Sequence, residues 1–256
     1  MKKSFKLFLL ALCAVFACLA FTGCSSPTTT PEPSTPVTPE PTVTYIGSKT
    51  PTETKAVGDI VFTDGSASPY TEELTNEQKA AAIAVIFYVG DENDTLGAKT
   101  LGVGLITERT NCKGLQWCLS DAVAYDSWDY AKNKDDGKAN TDEIAGLSDY
   151  GDGTKYPAFK FCRDYTAKGF TTNWYLPAYN EFKMLYASLT EVGNALNALD
   201  IENPYPTYWY FSSTREYTAN KYRNIAMAFY FTDKEYLQHL TFRKDEYKYV
   251  CAVHTF

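Results

Sequence analysis

Hydrophobic and polar positions divide the 256-residue chain into three stretches of different character. Leu7–Phe21 is almost free of polar side chains, whereas Ser25–Thr44 carries a proline every two to four residues and no aromatic side chain. Tyr45–Phe256 alternates short apolar runs with polar turns. A stretch of this kind and length favours a single folded domain, which we place at residues 45–256.

The first stretch has the features of a secretion signal. Three lysines within the first six residues precede an apolar run as long as a signal-peptide core. A spanning helix needs roughly 20 apolar residues, which is more than this run has. The run ends in Thr22-Gly23-Cys24, which resembles a lipobox, where the cysteine receives a diacylglycerol. We predict a lipoprotein signal peptide at residues 1–24 with lipid on Cys24. A cleaved signal without lipid is the alternative.

The proline-rich stretch reads as a tether. Proline at this density favours polyproline II, and the segment has too few apolar residues to bury a core. At about 3.1 Å per residue it would reach roughly 60 Å. We predict a disordered Pro/Thr/Ser-rich tether at residues 25–44. The protein would then be lipid-anchored in the cell envelope, at the outer-membrane surface.

Apolar periodicity in the remaining stretch predicts both strands and helices. The helix-spaced segments are Lys79–Ala84 with an N-cap at Thr75 or Asn76, Tyr156–Lys168 with Gly169 as C-cap, and Tyr179–Leu199 broken near Ser188 or Gly193. The strand-like segments are Val57–Phe62, Ile83–Val89, Lys99–Ile106, Tyr208–Ser212, Ile225–Phe231, Tyr236–Phe242 and Tyr249–Phe256. Ser127–Gly153 is polar and is expected to be a long loop. Helices that precede a strand-rich C-terminal part indicate the α+β class.

Composition excludes some functions and leaves the cysteines open. The net charge of −7, with both signs mixed along the chain, does not fit a nucleic-acid-binding surface. Cys13 and Cys18 lie in the signal, and Cys24 is assigned to lipid. The four that remain permit two disulfides, or ordinary buried thiols: Cys112, Cys118, Cys162 and Cys251.

The sequence lacks the spacing of common catalytic and metal sites. His239 and His254 are not in a metal-binding motif, and no Cys-x-x-Cys occurs. We therefore expect no catalytic residues, no cofactor and no metal. Two acidic turns, Asp91–Asp94 and Asp149–Gly153, have the oxygen ligands that calcium uses, with ordinary solvated turns as the alternative.

Three blocks of the sequence resemble a known family. Gly169–Ala178 reads GFTTNWYLPA and is followed by Glu181, Tyr210–Thr214 reads YFSST, and Tyr249–Phe256 reads YVCAVHTF. In residue type, order and spacing the blocks resemble signatures of bacterial C-type-lectin-like domains of the formylglycine-generating-enzyme type. The resemblance covers roughly residues 56–256. It implies a C-type-lectin-like fold within the α+β class.

Within this group the chain most resembles the treponemal variable lipoproteins of diversity-generating retroelements. These proteins bind ligands through the C-terminal strands and loops of the fold. Phe211 stands where the family has Trp, and Cys251 and His254 stand where it has Arg. Lys and Glu are also frequent between the blocks, and retroelement mutagenesis of Asn codons does not produce them. The resemblance therefore implies either a variable protein or a fixed paralogue.

The C-terminal segment has the composition of a binding surface even without the resemblance. Tyr205–Phe256 contains 15 aromatic residues in 52, with charged residues between them. Tyr and Arg dominate protein-binding surfaces, although Tyr and Phe are also good core-strand residues. The predicted ligand-binding residues are Arg215, Tyr217, Tyr222, Arg223, Tyr230, Asp233, Tyr236, His239 and Arg243.

The expected function is that of a membrane-anchored surface lipoprotein. It would act as a monomer and bind a protein or glycan ligand, which a host could supply. It would not be an enzyme and would not bind nucleic acid. Two alternatives remain: an oxidative enzyme of the formylglycine-generating type, which needs a reactive cysteine pair and copper, and a structural envelope lipoprotein.

Overall fold

Strand β3 (Ala82–Val89) runs between the two hydrophobic cores of the molecule. Its β-branched and aromatic residues favour an extended chain that is buried on both sides. Val85 and Phe87 belong to one core, and Ala84 and Ile86 belong to the other. The alternation of these side chains across the strand is the reason that one segment serves both cores.

The computed structural model describes residues 43–105, 114–205, 208–215, 222–231 and 237–256. Val43–Phe256 is one compact unit. The predicted signal peptide with Cys24 and nearly all of the predicted tether lie outside the described residues. No helix within the described ranges is long and apolar enough to cross a membrane.

A five-stranded antiparallel sheet forms around β3, in the order β10-β4-β3-β1-β2. Its other strands are β1 (Ile60–Phe62), β2 (Ala67–Ser68), β4 (Thr100–Gly104) and β10 (Val253–Thr255). Strand β1 begins later than the sequence predicts, because Val57 and Gly58 form a turn in which Gly58 has φ +88°. The edge strand β10 pairs through Val253 with Val103, so the end of the chain completes this sheet.

Five helices lie among the described residues: α1 (Asn76–Ala81), α2 (Gly137–Ala145), α3 (Pro157–Asp164), α4 (Tyr179–Ala187) and α5 (Leu189–Ala198). Thr75 caps α1 in a capping box with Gln78, which confirms the predicted helix start. The break between α4 and α5 falls at Ser188, one of the two predicted positions.

Three predictions about the helices are wrong in part. The helix predicted over Lys79–Ala84 ends at Ala81, because Ala82–Ala84 belong to β3. The expected loop over Ser127–Gly153 contains α2, which begins after Asp136, whose carboxylate accepts a hydrogen bond from the N–H of Ala139 at 2.9 Å. Helix α3 ends at Asp164, so Gly169 is not its C-cap. Gly169, with φ +84°, lies in a turn where Ala167 and Phe170 exchange backbone hydrogen bonds of 2.8 and 2.9 Å.

The C-terminal part forms a three-stranded antiparallel sheet of β6 (Trp209–Arg215), β7 (Ile225–Tyr230) and β8 (Gln238–Arg243), in that order. A small sheet of β5 (Leu115–Gln116) and β9 (Tyr247–Lys248) lies beside it, with Tyr249 bridged to Tyr210 of β6. Helices together with antiparallel sheets confirm the α+β class.

Candidate ligand-binding surface

Six of the nine predicted ligand-binding residues lie on or beside the C-terminal sheet. They are Arg215 at the end of β6, Tyr222 and Arg223 before β7, Tyr230 at the end of β7, and His239 and Arg243 on β8. Tyr217, Asp233 and Tyr236 lie outside the described residues. The six do not form one cluster, because strand register sends them to different sides of the sheet.

Strand register defines two faces of this sheet. Phe229 pairs with Tyr210 on β6 and with His239 on β8, and this inner face packs against α4, where the ring of Phe182 stacks on that of Phe229 at 5.1 Å. Tyr230 pairs with Trp209 and belongs to the opposite, outer face.

The outer face carries an aromatic cluster, defined here as Trp209, Tyr230, Leu240 and Phe242. The ring of Trp209 lies 5.4 Å from that of Tyr230 and 5.0 Å from that of Phe242. The Lys248 ammonium lies 3.9 Å from the centre of the Phe242 ring. All three rings are only partly buried, and Leu240 is 54% exposed.

The outer face is covered at one end and open at the other. The indole of Trp117 donates a hydrogen bond to the carbonyl of Ser212 at 3.1 Å, and the Lys244 ammonium lies over the Trp117 ring. That ammonium also donates to the carbonyl of Ala124 at 2.6 Å. Burial lowers the pKa of Lys244 to about 8. The aromatic cluster lies beyond this cover.

Arg215 does not have the exposed position expected of a ligand-binding residue. Only 3% of Arg215 is exposed, and its guanidinium packs 5.1 Å from the centre of the Trp128 ring. Its backbone N–H donates to the carbonyl of Ala131 at 3.0 Å. Arg215 therefore joins β6 to the loop before α2, and its side chain is not presented to solvent. Cationic residues in a strand are usually exposed, so the sequence pattern carried no signal of this burial.

Arg243 is exposed but already has partners within the molecule. Its guanidinium donates to both carboxylate oxygens of Asp245, at 2.9 and 2.6 Å, and to the hydroxyl of Tyr125 at 3.2 Å. Hydrogen bonding from Arg243 holds the pKa of the Asp245 carboxyl below its usual value. Arg243 is thus held in one orientation at the rim of the sheet.

Exposed aromatic residues flank the sheet. Tyr222 and Tyr247 are each 63% exposed, so the predicted ligand-binding residue Tyr222 points to solvent. Arg223 is exposed next to Tyr222. Phe229 and Phe231, by contrast, are buried in the core.

Sequence reasoning missed a second group, on the inner side of the sheet. The ring of Tyr179 lies 5.5 Å from that of His239, and the ammonium groups of Lys134 and Lys183 lie 5.8 and 5.9 Å from its centre. Lys134 belongs to the polar stretch that was expected to be a loop, and Lys183 belongs to α4. Nothing in their spacing in the sequence indicates that they meet.

The signature block, defined here as Gly169–Ala178 with Glu181, supports the sheet. Trp174 and Leu176 are buried. Glu181 accepts hydrogen bonds from the N–H groups of Ala178 at 2.7 Å and Gly137 at 3.2 Å, and from the Tyr175 hydroxyl at 3.1 Å. Burial raises the pKa of Glu181 to about 7. This carboxyl joins the signature block to the beginning of both α2 and α4.

The cysteines within the described residues are buried free thiols. Cys118, Cys162 and Cys251 form no disulfide, so the alternative with two disulfides is wrong, and Cys112 lies outside the described residues. The Cys162 thiol donates to the carbonyl of Cys251 at 3.4 Å. Burial raises the pKa of all three thiols, to about 12 for Cys118. Thiols in this state are poor nucleophiles at neutral pH.

The acidic turns use their oxygen atoms internally. Asp91 accepts from the N–H of Asn93 at 2.7 Å, and Asp94 accepts from that of Asp91 at 2.9 Å. Asp149 accepts from the Tyr156 hydroxyl and from the N–H of Val123, both at 2.8 Å. Within the described part of the chain, no group of three or more His, Cys, Asp or Glu residues is placed to hold a metal ion.

Comparison with known proteins supports the fold only. No protein-family model and no curated protein matches the chain. A fimbrial protein from Bacteroides ovatus has a similar structure, with a TM-score of 0.56 and 18% sequence identity over 78% of this chain and 49% of that one. The chain therefore spans about half the length of the fimbrial protein. At this identity the likeness concerns the arrangement of elements and not the function.

Proposed function

We propose that this chain is a lipid-anchored surface protein of the cell envelope that binds a protein or glycan ligand through its C-terminal sheet. The observation that carries the proposal is the aromatic cluster on the outer face, where three partly buried rings and the exposed Leu240 lie side by side. A surface location is compatible with the fold that the chain shares with a fimbrial protein.

The chemistry of the cluster fits recognition. Trp and Tyr provide wide contact at low entropic cost, because each has only two side-chain torsions to fix. The sheet under the cluster is held by buried residues: Phe211, Ala226 and Ala228 on the outer side, and Tyr210 and Phe229 on the inner side. A ligand would therefore meet a surface whose backbone is already ordered, which lowers the entropic cost of binding.

The finer identity is part of the same proposal. A C-type-lectin-like domain of the formylglycine-generating-enzyme type, similar to the variable lipoproteins of diversity-generating retroelements, would place its binding residues between conserved framework blocks. In this chain the block around Trp174 is buried, and the segment between Tyr210–Thr214 and Tyr249–Phe256 supplies the exposed Tyr222, Leu240 and Tyr247.

The test is a binding screen of the purified chain against arrays of proteins and glycans, repeated with two variants. Tyr230→Ser with Leu240→Ser removes exposed surface from the cluster, and we expect it to abolish any interaction found. Phe161→Ser is the matched control, because Phe161 is an exposed aromatic on α3, away from the sheet. If both variants bind like the wild type while the melting temperatures are unchanged, the ligand binds elsewhere and the proposal is wrong.

The anchor is tested separately. We expect Cys24→Ala to abolish incorporation of labelled fatty acid and to release the protein from the membrane fraction. Cys13→Ala, within the same apolar run, should retain both. A Cys24→Ala variant that still carries lipid would remove the basis for the proposed location.

A further inference from the structure

One edge of the C-terminal sheet has no partner strand among the residues that the structure describes. The strand order β6-β7-β8 leaves β8 at the edge, and no strand within the described residues pairs with its outer side. The backbone N–H of Arg243 donates to the side-chain carboxylate of Glu246 at 3.3 Å, and the carbonyl of Arg243 accepts from the N–H of Glu246 at 3.0 Å. The peptide groups of Arg243 therefore face away from β7.

The same orientation applies to alternate residues along β8. In an antiparallel ladder, consecutive residues point their N–H and C=O groups to opposite sides. The N–H of Lys244, the residue after Arg243, donates to the carbonyl of Asn224 at 2.8 Å. Lys244 therefore points its N–H to the side opposite to that of Arg243, as the alternation requires. By this alternation the backbone N–H and C=O groups of His239 and Thr241 also point away from β7. No backbone partner for either is found in the described part of the chain. Such an edge is a template for an added strand.

Positive charge collects beside this edge. The ammonium groups of Lys134 and Lys183 flank the Tyr179 ring, whose edge-to-face neighbour is His239 of β8. Both lysines are exposed, and neither forms an ion pair with any described residue. Two like charges over one ring repel each other. In a chain of net charge −7, two lysines without an ion-pair partner among the described residues favour an anionic ligand.

We propose that the edge of β8 binds an extended acidic peptide segment of a partner protein by strand addition. Side chains of an added strand alternate between the two faces of the sheet. Those on the inner side would lie beside His239, within reach of Lys134 and Lys183, and would be Asp or Glu. Those on the outer side would lie beside the exposed Leu240 and would be apolar. The recognised pattern is an alternation of acidic and apolar residues. This inference deepens the proposed function, on which it rests, by naming the partner class.

The experiment measures fluorescence anisotropy of a labelled (Val-Glu)₄ peptide with the full-length chain in detergent at low salt. We expect saturable binding that weakens at least tenfold for (Val-Lys)₄. We expect a similar loss for a (Val-Glu)₄ peptide N-methylated at every residue, which has the same charge but has no N–H group left to pair on either of its edges. Equal binding of the methylated and unmethylated peptides would overturn strand addition. So would the absence of binding to the unmodified peptide.

Protein variants locate the site. Lys134→Ala with Lys183→Ala should weaken (Val-Glu)₄ binding at least tenfold. Lys138→Ala with Lys160→Ala, which removes the same charge from two lysines paired with Asp142 and Asp164, should not. Thr241→Pro should also weaken binding, because it removes a backbone N–H that points away from β7 and leaves the hydrogen bonds to β7 in place. If the two double-lysine variants bind (Val-Glu)₄ equally well, Lys134 and Lys183 do not recognise the acidic side chains. If Thr241→Pro does not fold, the methylated peptide still tests whether the edge of β8 is the binding site.

Two further outcomes distinguish strand addition at β8 from an acidic glycan site and from ligand binding at the aromatic cluster. An oligogalacturonate that displaces (Val-Glu)₄, together with equal binding of the methylated peptide, would identify an acidic glycan site and overturn the peptide proposal. A screened ligand lost in the variant of Tyr230 and Leu240 but retained in the variant of Lys134 and Lys183 would support the proposed function alone. It would overturn the assignment of that ligand to the edge of β8.

Discussion

The five-stranded sheet and the C-terminal sheet are both antiparallel and rich in β-branched and aromatic residues, yet they are covered very differently. In β3 six consecutive residues, Ile83–Tyr88, are buried, because helices α4 and α5 lie on one side and the second core on the other. In β8 no residue is buried. The difference indicates that strand-forming sequence specifies the sheets, whereas the elements packed on them decide which one can meet a ligand.

Burial falls stepwise across the C-terminal sheet. Strand β6 is buried over six of its seven residues and β7 over four of six, while β8 has none. The sheet therefore joins the framework on one side and solvent on the other. We expect substitutions to lose their effect on stability, and to gain effect on binding, from β6 towards β8.

The largest expected effect on stability is at Trp174, in the signature block. Trp174 is 1% exposed, and its ring lies 5.0 Å from that of His254 on β10. We expect Trp174→Ala to lower the free energy of unfolding by about 3–5 kcal/mol, a large share of a typical 5–15 kcal/mol. Trp209→Ala, on the partly exposed outer face, should cost clearly less. Equal losses in urea denaturation would remove the distinction between framework and surface.

The second effect concerns pH. Burial raises the pKa of Glu181 from 4.5 to about 7, so the folded state holds this proton more tightly than the unfolded state. Stability from this group is full below about pH 4.5 and is lost as the pH rises towards 7, by up to about 3 kcal/mol. We expect the stability difference between wild type and Glu181→Gln to change by this amount across the window. A difference that is constant with pH would show that Glu181 stays ionised.

The third effect is at the junction of helix and sheet. The Ser188 hydroxyl lies 2.8 Å from the carbonyl of Phe87 on β3, and Ser188 is buried. Ser188→Ala should cost about 1 kcal/mol in thermal unfolding, the usual worth of one such hydrogen bond. Thr190→Ala, at an exposed position of α5, should stay within about 0.5 kcal/mol of the wild type. A neutral Ser188→Ala would mean that the hydroxyl bonds only within its own helix.

The smallest effect is expected beside the C-terminal sheet. Tyr222 is 63% exposed, and Tyr222→Ala should change the free energy of unfolding by less than about 0.5 kcal/mol. Arg243→Ala should also leave the melting temperature close to that of the wild type, because its partners are at the rim. A melting temperature lowered by many degrees in either variant would place these side chains in the framework.

Segments with a clear apolar period were predictable from the sequence. Strand β3, the capping box at Thr75 and the break at Ser188 follow from local residue types. Helix α2 was not predictable, because three of its four buried residues are Gly137, Asn140 and Thr141, which produce no hydrophobic period. It is held by tertiary hydrogen bonds, such as that from Asn140 to the hydroxyl of Ser213 at 3.0 Å.

The candidate site was predictable only as a region. Composition pointed to Tyr205–Phe256, and exposure of Tyr222 and Tyr247 agrees with it. The residue choice failed at Arg215, because its burial depends on Trp128, far away in the sequence. The same holds for Lys134 and Lys183, which reach one ring from the loop before α2 and from α4.

The placement of β10 has a consequence for the time course of folding. Val253 pairs with Val103 and also exchanges backbone hydrogen bonds with Tyr175, so the last strand is needed to close both the sheet and the signature block. Pairings between distant parts of a chain form slowly, because the intervening loop must first be ordered. If the chain is exported N-terminus first, as the proposed function implies, this sheet stays incomplete until its final strand arrives. The domain would therefore assemble in one late step after transport and not segment by segment.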